Sequence, residues 1–215
     1  MTDPVAPQLY LVSPPRFEPE AFAAQVRAAL QGGPVACLQL WMPDATEDEI
    51  RTAATLVLAE VKSHDTAFLL NGNAKLAAYL GCDGVHLDTP DVKSVKAAKK
   101  ILGDDAIVGV SCGTSRHTSM DVAEAGADYV SFGPIFDTGT KDLPAAAGAL
   151  DTLTWWAEMM EVPCVAVGGL TPQNLASVLE TRCEFICAVS AVWSHPNGPD
   201  AAVKAFHKAL EASEL

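Results

Sequence analysis

The chain alternates short, continuous apolar runs with segments whose apolar residues recur at helical spacing. The runs predict strands at Leu9–Ser13, Val35–Leu40, Ala67–Leu70, Gly84–Leu87, Ala106–Val110, Tyr129–Phe132, Cys164–Val167 and Phe185–Val189. Most are apolar at nearly every position rather than at every second one. That is how strands of a parallel sheet read when both faces are covered. Between them, Phe22, Val26 and Leu30 fall at i, i+4 and i+8, and Gly32-Gly33 ends that helix. Thr46 with Glu49 forms a capping box for the next one. Val92, Val95, Ala98 and Leu102 make a stripe that stops at Gly103. Thr171-Pro172 reads as a helix start, a capping hydroxyl before a proline, and Val203, Phe206 and Leu210 give the last helix its apolar face.

Eight strand–helix units in 215 residues leave about 27 residues for each, near the compact end of the (β/α)8 barrel. No glycine-rich dinucleotide turn marks a doubly wound open sheet, and no linker divides the chain. The expectation is one α/β domain over residues 1–215, an eight-stranded parallel TIM barrel with its active site at the carboxyl ends of the strands.

Composition narrows the function classes. With 49% apolar and 19% charged residues the chain is not disordered, and its apolar runs are too short for a membrane span of about 18 residues. Met1 to Pro7 have neither a basic start nor an apolar run, so no secretory signal is expected. The six cysteines form no C-x-x-C pair and read as reduced, buried thiols of a cytoplasmic protein. Cys183 and Cys187 are the only close pair, which argues against a metal–thiolate site. The net charge of −13 repels nucleic acid and anionic lipid. It leaves room for a small anionic ligand, because main-chain N–H groups can form a local nest.

Four stretches at expected strand ends carry candidate chemistry. Gly133 to Lys141 offers the Thr138 and Thr140 hydroxyls and an ammonium to phosphate oxygens. Gly168-Gly169 and Val189-Ser190-Ala191 follow strands seven and eight, where barrels commonly cradle phosphate with main-chain N–H groups. Asp88 and Asp91 follow strand four, where two carboxylates suit Mg2+, although Asp91 also suits a helix N-cap. His86 reads as a satisfied core histidine and His117 as a surface one, with an acid–base role as the alternative for His117.

Taken in order, Leu9-Tyr10-Leu11-Val12, Gly84-Val85-His86-Leu87, Gly109-Val110-Ser111, Gly126 to Val130, Gly133-Pro134-Ile135-Phe136 with Thr138/Thr140/Lys141, and Val165 to Gly169 resemble the thiamine phosphate synthase family, which includes thiazole tautomerases. The resemblance spans nearly the whole chain. It implies a (β/α)8 barrel that joins hydroxymethylpyrimidine pyrophosphate to thiazole phosphate with Mg2+. It also implies roles for individual residues: Ser111 and Lys141 in catalysis, Asp91 at the metal, and Gln39, Asn71, Thr138, Thr140, Gly168, Gly169, Val189 and Ser190 at the substrates. The implied partner is a small phosphate, thiazole phosphate or thiamine phosphate; a homo-oligomer is left open. The sequence departs from the family where cations are concerned. Gln39-Leu40-Trp41-Met42-Pro43 stands where the family has Gln-Leu-Arg-x-Lys, and Asn71-Gly72-Asn73 where it has Asn-Asp-Arg. Three of four pyrophosphate-facing cations are replaced, each worth roughly 1.5–3 kcal/mol as a charge-assisted contact. The alternatives are therefore a non-catalytic paralogue that holds the monophosphate, or a tautomerase-like enzyme. Gly113 occupies the position where tautomerases carry a histidine.

Overall fold

The computed structural model describes residues 7–140 and 142–211. Its eight strands close into one parallel barrel in sequence order, as expected from the alternation. They are β1 (Gln8–Val12), β2 (Cys37–Leu40), β3 (Ala67–Asn71), β4 (Gly84–Leu87), β5 (Ile107–Gly113), β6 (Tyr129–Phe132), β7 (Cys164–Ala166) and β8 (Phe185–Ala188). The helices between them are α1 (Pro19–Gln31), α2 (Glu47–Val61), α3 (Ala74–Leu80), α4 (Val92–Leu102), α5 (Arg116–Glu124), α6 (Ala149–Met159) and α7 (Ala176–Leu179). The short α8 (Ser190–Trp193) and the closing α9 (Pro199–Glu211) follow β8.

Strand parity sorts the side chains into two cores. Leu9 and Leu11, Leu38 and Leu40, Phe68 and Leu70, Val85, Val108 and Val110, Val130 and Phe132, Cys164 and Ala166, and Ile186 and Ala188 join the outer core beneath the helices. Their sequence neighbours Tyr10, Cys37, Leu69, Tyr129, Val165 and Cys187 form a separate cluster inside the barrel. Successive side chains point to opposite faces of a strand, so a closed sheet splits each apolar run between two environments. Cys183 lies ahead of β8 and joins the outer core, whereas Cys187 on β8 points inward, and all six cysteines are free thiols.

The helix signals hold with one exception. Thr46 and Glu49 form the reciprocal capping box, Asp91 caps α4 by accepting the Ser94 N–H, and α4 stops at Gly103. The Val203, Phe206 and Leu210 stripe of α9 is buried. The expected start at Thr171-Pro172 is not made. Instead the Asn174 side chain accepts the Thr171 N–H at 2.8 Å and donates to the Gly169 carbonyl at 2.9 Å, and the helix begins only at Ala176. An asparagine three residues on closes the turn that the threonine hydroxyl was expected to cap.

A repeated carboxylate ties the amino-terminal rim. Asp83, Asp128 and Glu184 each directly precede an even-numbered strand. They accept the N–H of Phe68 at 2.7 Å, Val108 at 2.6 Å and Cys164 at 2.8 Å, at the start of the strand before. Each satisfies a main-chain donor that the parallel ladder leaves over. Asp83→Ala should therefore lower unfolding stability by about 1.5–3 kcal/mol, the range for a hydrogen bond to a charged group, read as a fall in the urea midpoint at unchanged slope.

Candidate active site

The carboxyl ends of the strands surround a cavity of about 490 Å³. Gln39, Ser111, Thr138, Thr140, Gly168 and Val189, six of the residues singled out in the sequence, line it. Asn71 stands behind this wall, hydrogen-bonded to Gln39 and Asp88. Ser190 is exposed at the start of α8, and Lys141 lies outside the described residues.

Inward positions of β1 to β6 build the floor. Tyr10 Oη donates to Gln39 Oε1 at 2.9 Å and meets Tyr129 Oη at 2.8 Å. Tyr129 Oη lies 2.7 Å from His86 Nδ1, and His86 Nε2 lies 2.8 Å from Ser111 Oγ. Ser131 Oγ donates to Ser111 Oγ at 3.3 Å. At the other end Gln39 Nε2 donates to Asn71 Oδ1 and Asn71 Nδ2 to Asp88 Oδ2, both at 2.7 Å. Burial raises both phenols well above the ordinary tyrosine value, so they remain protonated donors. Gly109 makes the arrangement possible, since a Cβ there would stand 1.8 Å from the Tyr129 ring. His86 is thus a satisfied interior histidine, as expected, but it borders the cavity and touches Ser111.

The other wall is apolar or main chain. Trp41 lines the mouth, its N–H donating to Ser13 Oγ at 2.8 Å while Ser13 donates back to the Trp41 carbonyl at 3.0 Å. Met42 packs against the outer core and Pro43 is exposed, so Trp41 alone of that trio faces the cavity. Thr138 and Leu143 pair as an antiparallel bridge that folds the β6 loop back on itself. Gly168 and Gly169 have φ of +100° and +66°, and a Cβ on either would run into Pro134 or into Phe136 and Asp137. These glycines let the β7 loop pack under the β6 loop, where Ile135 and Phe136 donate to the carbonyls of Val167 and Gly168. Among the described residues lining the cavity there is no lysine or arginine, and Asp88 is the one carboxylate.

Asp91 accepts both the N–H and the hydroxyl of Ser94, which hold its carboxyl below the ordinary value. His117 is exposed on α5 and lies 3.6 Å from Asp121, the surface reading. The interior tyrosines and Ser131 escaped the sequence reading. Their signal is parity: on β6 the polar atoms fall at Tyr129 and Ser131, in phase with Ser111 across the ladder.

The chain is of the closed (β/α)8 barrel class, whose active sites lie at the carboxyl ends of the strands. The match to known proteins is narrower. Residues 9–192 fit the family model described as thiamine monophosphate synthase, and the chain belongs to that family. It is 46% identical over 203 residues to the thiamine-phosphate synthase of Rhodospirillum centenum, covering 94% of this chain and 97% of that one. It is 40% identical to the thiamine-phosphate synthase of Erythrobacter litoralis, covering 96% of each. Thiamine phosphate pyrophosphorylase from Pyrococcus furiosus superposes with a TM-score of 0.80 at 27% identity, over 95% of this chain and 96% of that one.

The cavity also contains a titration. Burial pushes the Cys112 thiol at its wall up to about 12, and raises Cys37 beneath it further still. The folded state holds these protons more tightly than the unfolded chain, whose thiols ionise near 9. Their contribution is complete below about pH 9 and is lost as pH rises from there toward 12, by at most about 1.4 kcal/mol per pH unit for each thiol. The urea midpoint should fall between pH 8.5 and 10.5, as chosen conditions, and Cys112→Ala should flatten that fall.

Proposed function

We propose that the protein joins hydroxymethylpyrimidine pyrophosphate to thiazole phosphate, giving thiamine phosphate and pyrophosphate. The observation that carries this is Ser111, Thr138, Thr140 and Gly168 around one cavity at the strand ends of a chain in this family. In the reaction the bond from the pyrimidine methylene carbon to the pyrophosphate oxygen breaks, and pyrophosphate leaves with the electron pair. The thiazole nitrogen then gives its lone pair to that carbon. The protein's task is to hold the two reactants in line and to stabilise charge as it separates. Thr138, Thr140 and the main chain at Gly168, Gly169, Val189 and Ser190 are assigned to the phosphate groups, and Lys141, by its match to the family lysine, to catalysis with Ser111. Gln39, Asn71 and Ser111 are assigned to the ring.

The described residues do not fit a magnesium ion held by protein alone. No group of three or more acidic, histidine or cysteine side chains converges among them. Asp91 is engaged as a helix cap, and Gly72 supplies no carboxylate. Mg2+ keeps several waters and takes only one or two carboxylates when substrate phosphates complete its shell. Any Mg2+ here would come with the pyrophosphate rather than sit in a resident site, and Asp91, the one family-matched carboxylate, is taken up as a helix cap.

A second reading, a paralogue that holds the monophosphate without making thiamine phosphate, is favoured by the absence of lysine and arginine from the described lining and by Trp41 at the mouth. The alternative of thiazole tautomerase chemistry gains nothing from Gly113 or from an exposed His117.

Purified protein given both substrates should release thiamine phosphate and pyrophosphate, and Ser111→Ala should slow this at least tenfold. Thiazole phosphate alone should bind by calorimetry, and Ser190→Asp, an exposed change that adds like charge, should weaken it. Binding without turnover would replace the synthase reading by the second one. The pyrimidine pyrophosphate should bind weakly and with little response to Mg2+, and Trp41→Arg with Gly72→Asp should strengthen both. Tight, Mg2+-dependent binding by the unchanged protein would sink the assignment of a depleted pyrophosphate side.

A further inference from the structure

The hydrogen-bond chain through the barrel has a direction, and one residue at its end sets it. The Asp88 carboxylate accepts from Asn71 Nδ2. Carboxylate oxygens are acceptors, so the Asn71 amide is oriented with Oδ1 toward Gln39, where it accepts from Nε2. Gln39 then turns Oε1 toward Tyr10 and takes the Tyr10 hydroxyl proton. Tyr10 has no second proton, so the 2.8 Å contact with Tyr129 uses the Tyr129 proton. Tyr129 is then an acceptor toward His86, and the 2.7 Å contact requires a proton on Nδ1. A neutral imidazole carries one proton, which leaves Nε2 bare at 2.8 Å from Ser111 Oγ.

We propose that Asp88 is a positioning residue. Through Asn71, Gln39, Tyr10 and Tyr129 it holds neutral His86 as the Nδ1–H tautomer, with Nε2 accepting the Ser111 hydroxyl proton. Without an acceptor-only group at one end, two amides and two phenols can reverse together and deliver the opposite tautomer. With it, Ser111 has committed its proton to His86 and meets the cavity as an acceptor. A ligand N–H or O–H is matched there, and a ligand acceptor is not. Each link is short, and Tyr10 and Tyr129 in its middle are buried, which strengthens hydrogen bonds between them. The Asp88 end is exposed, where a side chain can be exchanged without opening the core.

The inference concerns the same cavity as the proposed synthesis, but its test does not need turnover. The full-length protein, labelled with 15N and held near pH 8, well above the ordinary histidine value, is read by long-range 1H–15N correlation. His86 is identified as the signal lost in His86→Gln. The wild-type ring should show Nδ1 protonated and Nε2 unprotonated. Asp88→Ala should move a substantial part of the population to the Nε2–H pattern. Tyr10→Phe, which keeps the ring and frees the Tyr129 proton for Nδ1, should do the same, with circular dichroism showing both variants folded. An Nε2–H ring in the wild type overturns the proposal. So does an unmoved ring in Asp88→Ala, whether or not Tyr10→Phe responds, because a carboxylate that only braces Asn71 would leave the tautomer alone.

Discussion

Everything at the carboxyl end of this barrel depends on the need to satisfy polar atoms inside a closed sheet. An inward polar side chain has no bulk water to fall back on, and an unpaired hydroxyl or amide there costs about 1–3 kcal/mol. No buried side-chain nitrogen or oxygen among the described residues lacks a partner. The barrel achieves this with a line of contacts from Asp88 to Ser131 that passes through side chains of six different strands, β1 to β6. Removing any one member strands its neighbours, so floor and function are built from the same atoms.

That line fits because its neighbours are small or aromatic in the right places. Tyr10 and Tyr129 meet edge to face at 5.8 Å, and Tyr129 lies stacked with His86 at 5.7 Å. The bare Cα of Gly109 leaves the space that the Tyr129 ring fills. Just above, the β5–β6 register shifts between Ser111 and Gly113. An irregularity of this kind re-aims side chains at a strand end, and it lets Cys112 count in the outer core while also bordering the cavity.

The barrel itself was legible because the outward half of each strand is apolar and half of the inward positions are too, which leaves continuous runs. The caps at Thr46, Asp91 and Gly103 were legible because each acts within four residues of itself. What could not be read locally was partnership. Tyr10 and Tyr129 are 119 positions apart, and nothing around Tyr10 in the sequence distinguishes a phenol that completes a relay from one that fills space. His86 was read for its burial, which was right, while its contact with Ser111 needed the closed barrel to bring β4 and β5 together. At Thr171 a local rule misled: the Asn174 N–H that the threonine hydroxyl was expected to accept donates to the Thr171 carbonyl at 3.1 Å, while the Asn174 side chain turns back to the Thr171 N–H.

The same parity divides the cavity by chemistry. Near the mouth the cavity is lined from β2 to β6 by Gln39, His86, Ser111 and Ser131; on β1 and after β7 and β8 it is lined by Val12, Val167 and Val189. Those three side chains are apolar, so on that side an anion would meet main-chain N–H groups of the Gly168-Gly169 turn and the start of α8, beside the Thr138 and Thr140 hydroxyls of the β6 loop. Such donors carry no titratable proton, and they work beside a net charge of −13 because their field is local. The Ser111 and Ser131 hydroxyls and the His86 imidazole stand on the opposite wall, where direction and proton position matter more than charge. A cavity divided in this way can separate the group that anchors a ligand from the group that reacts.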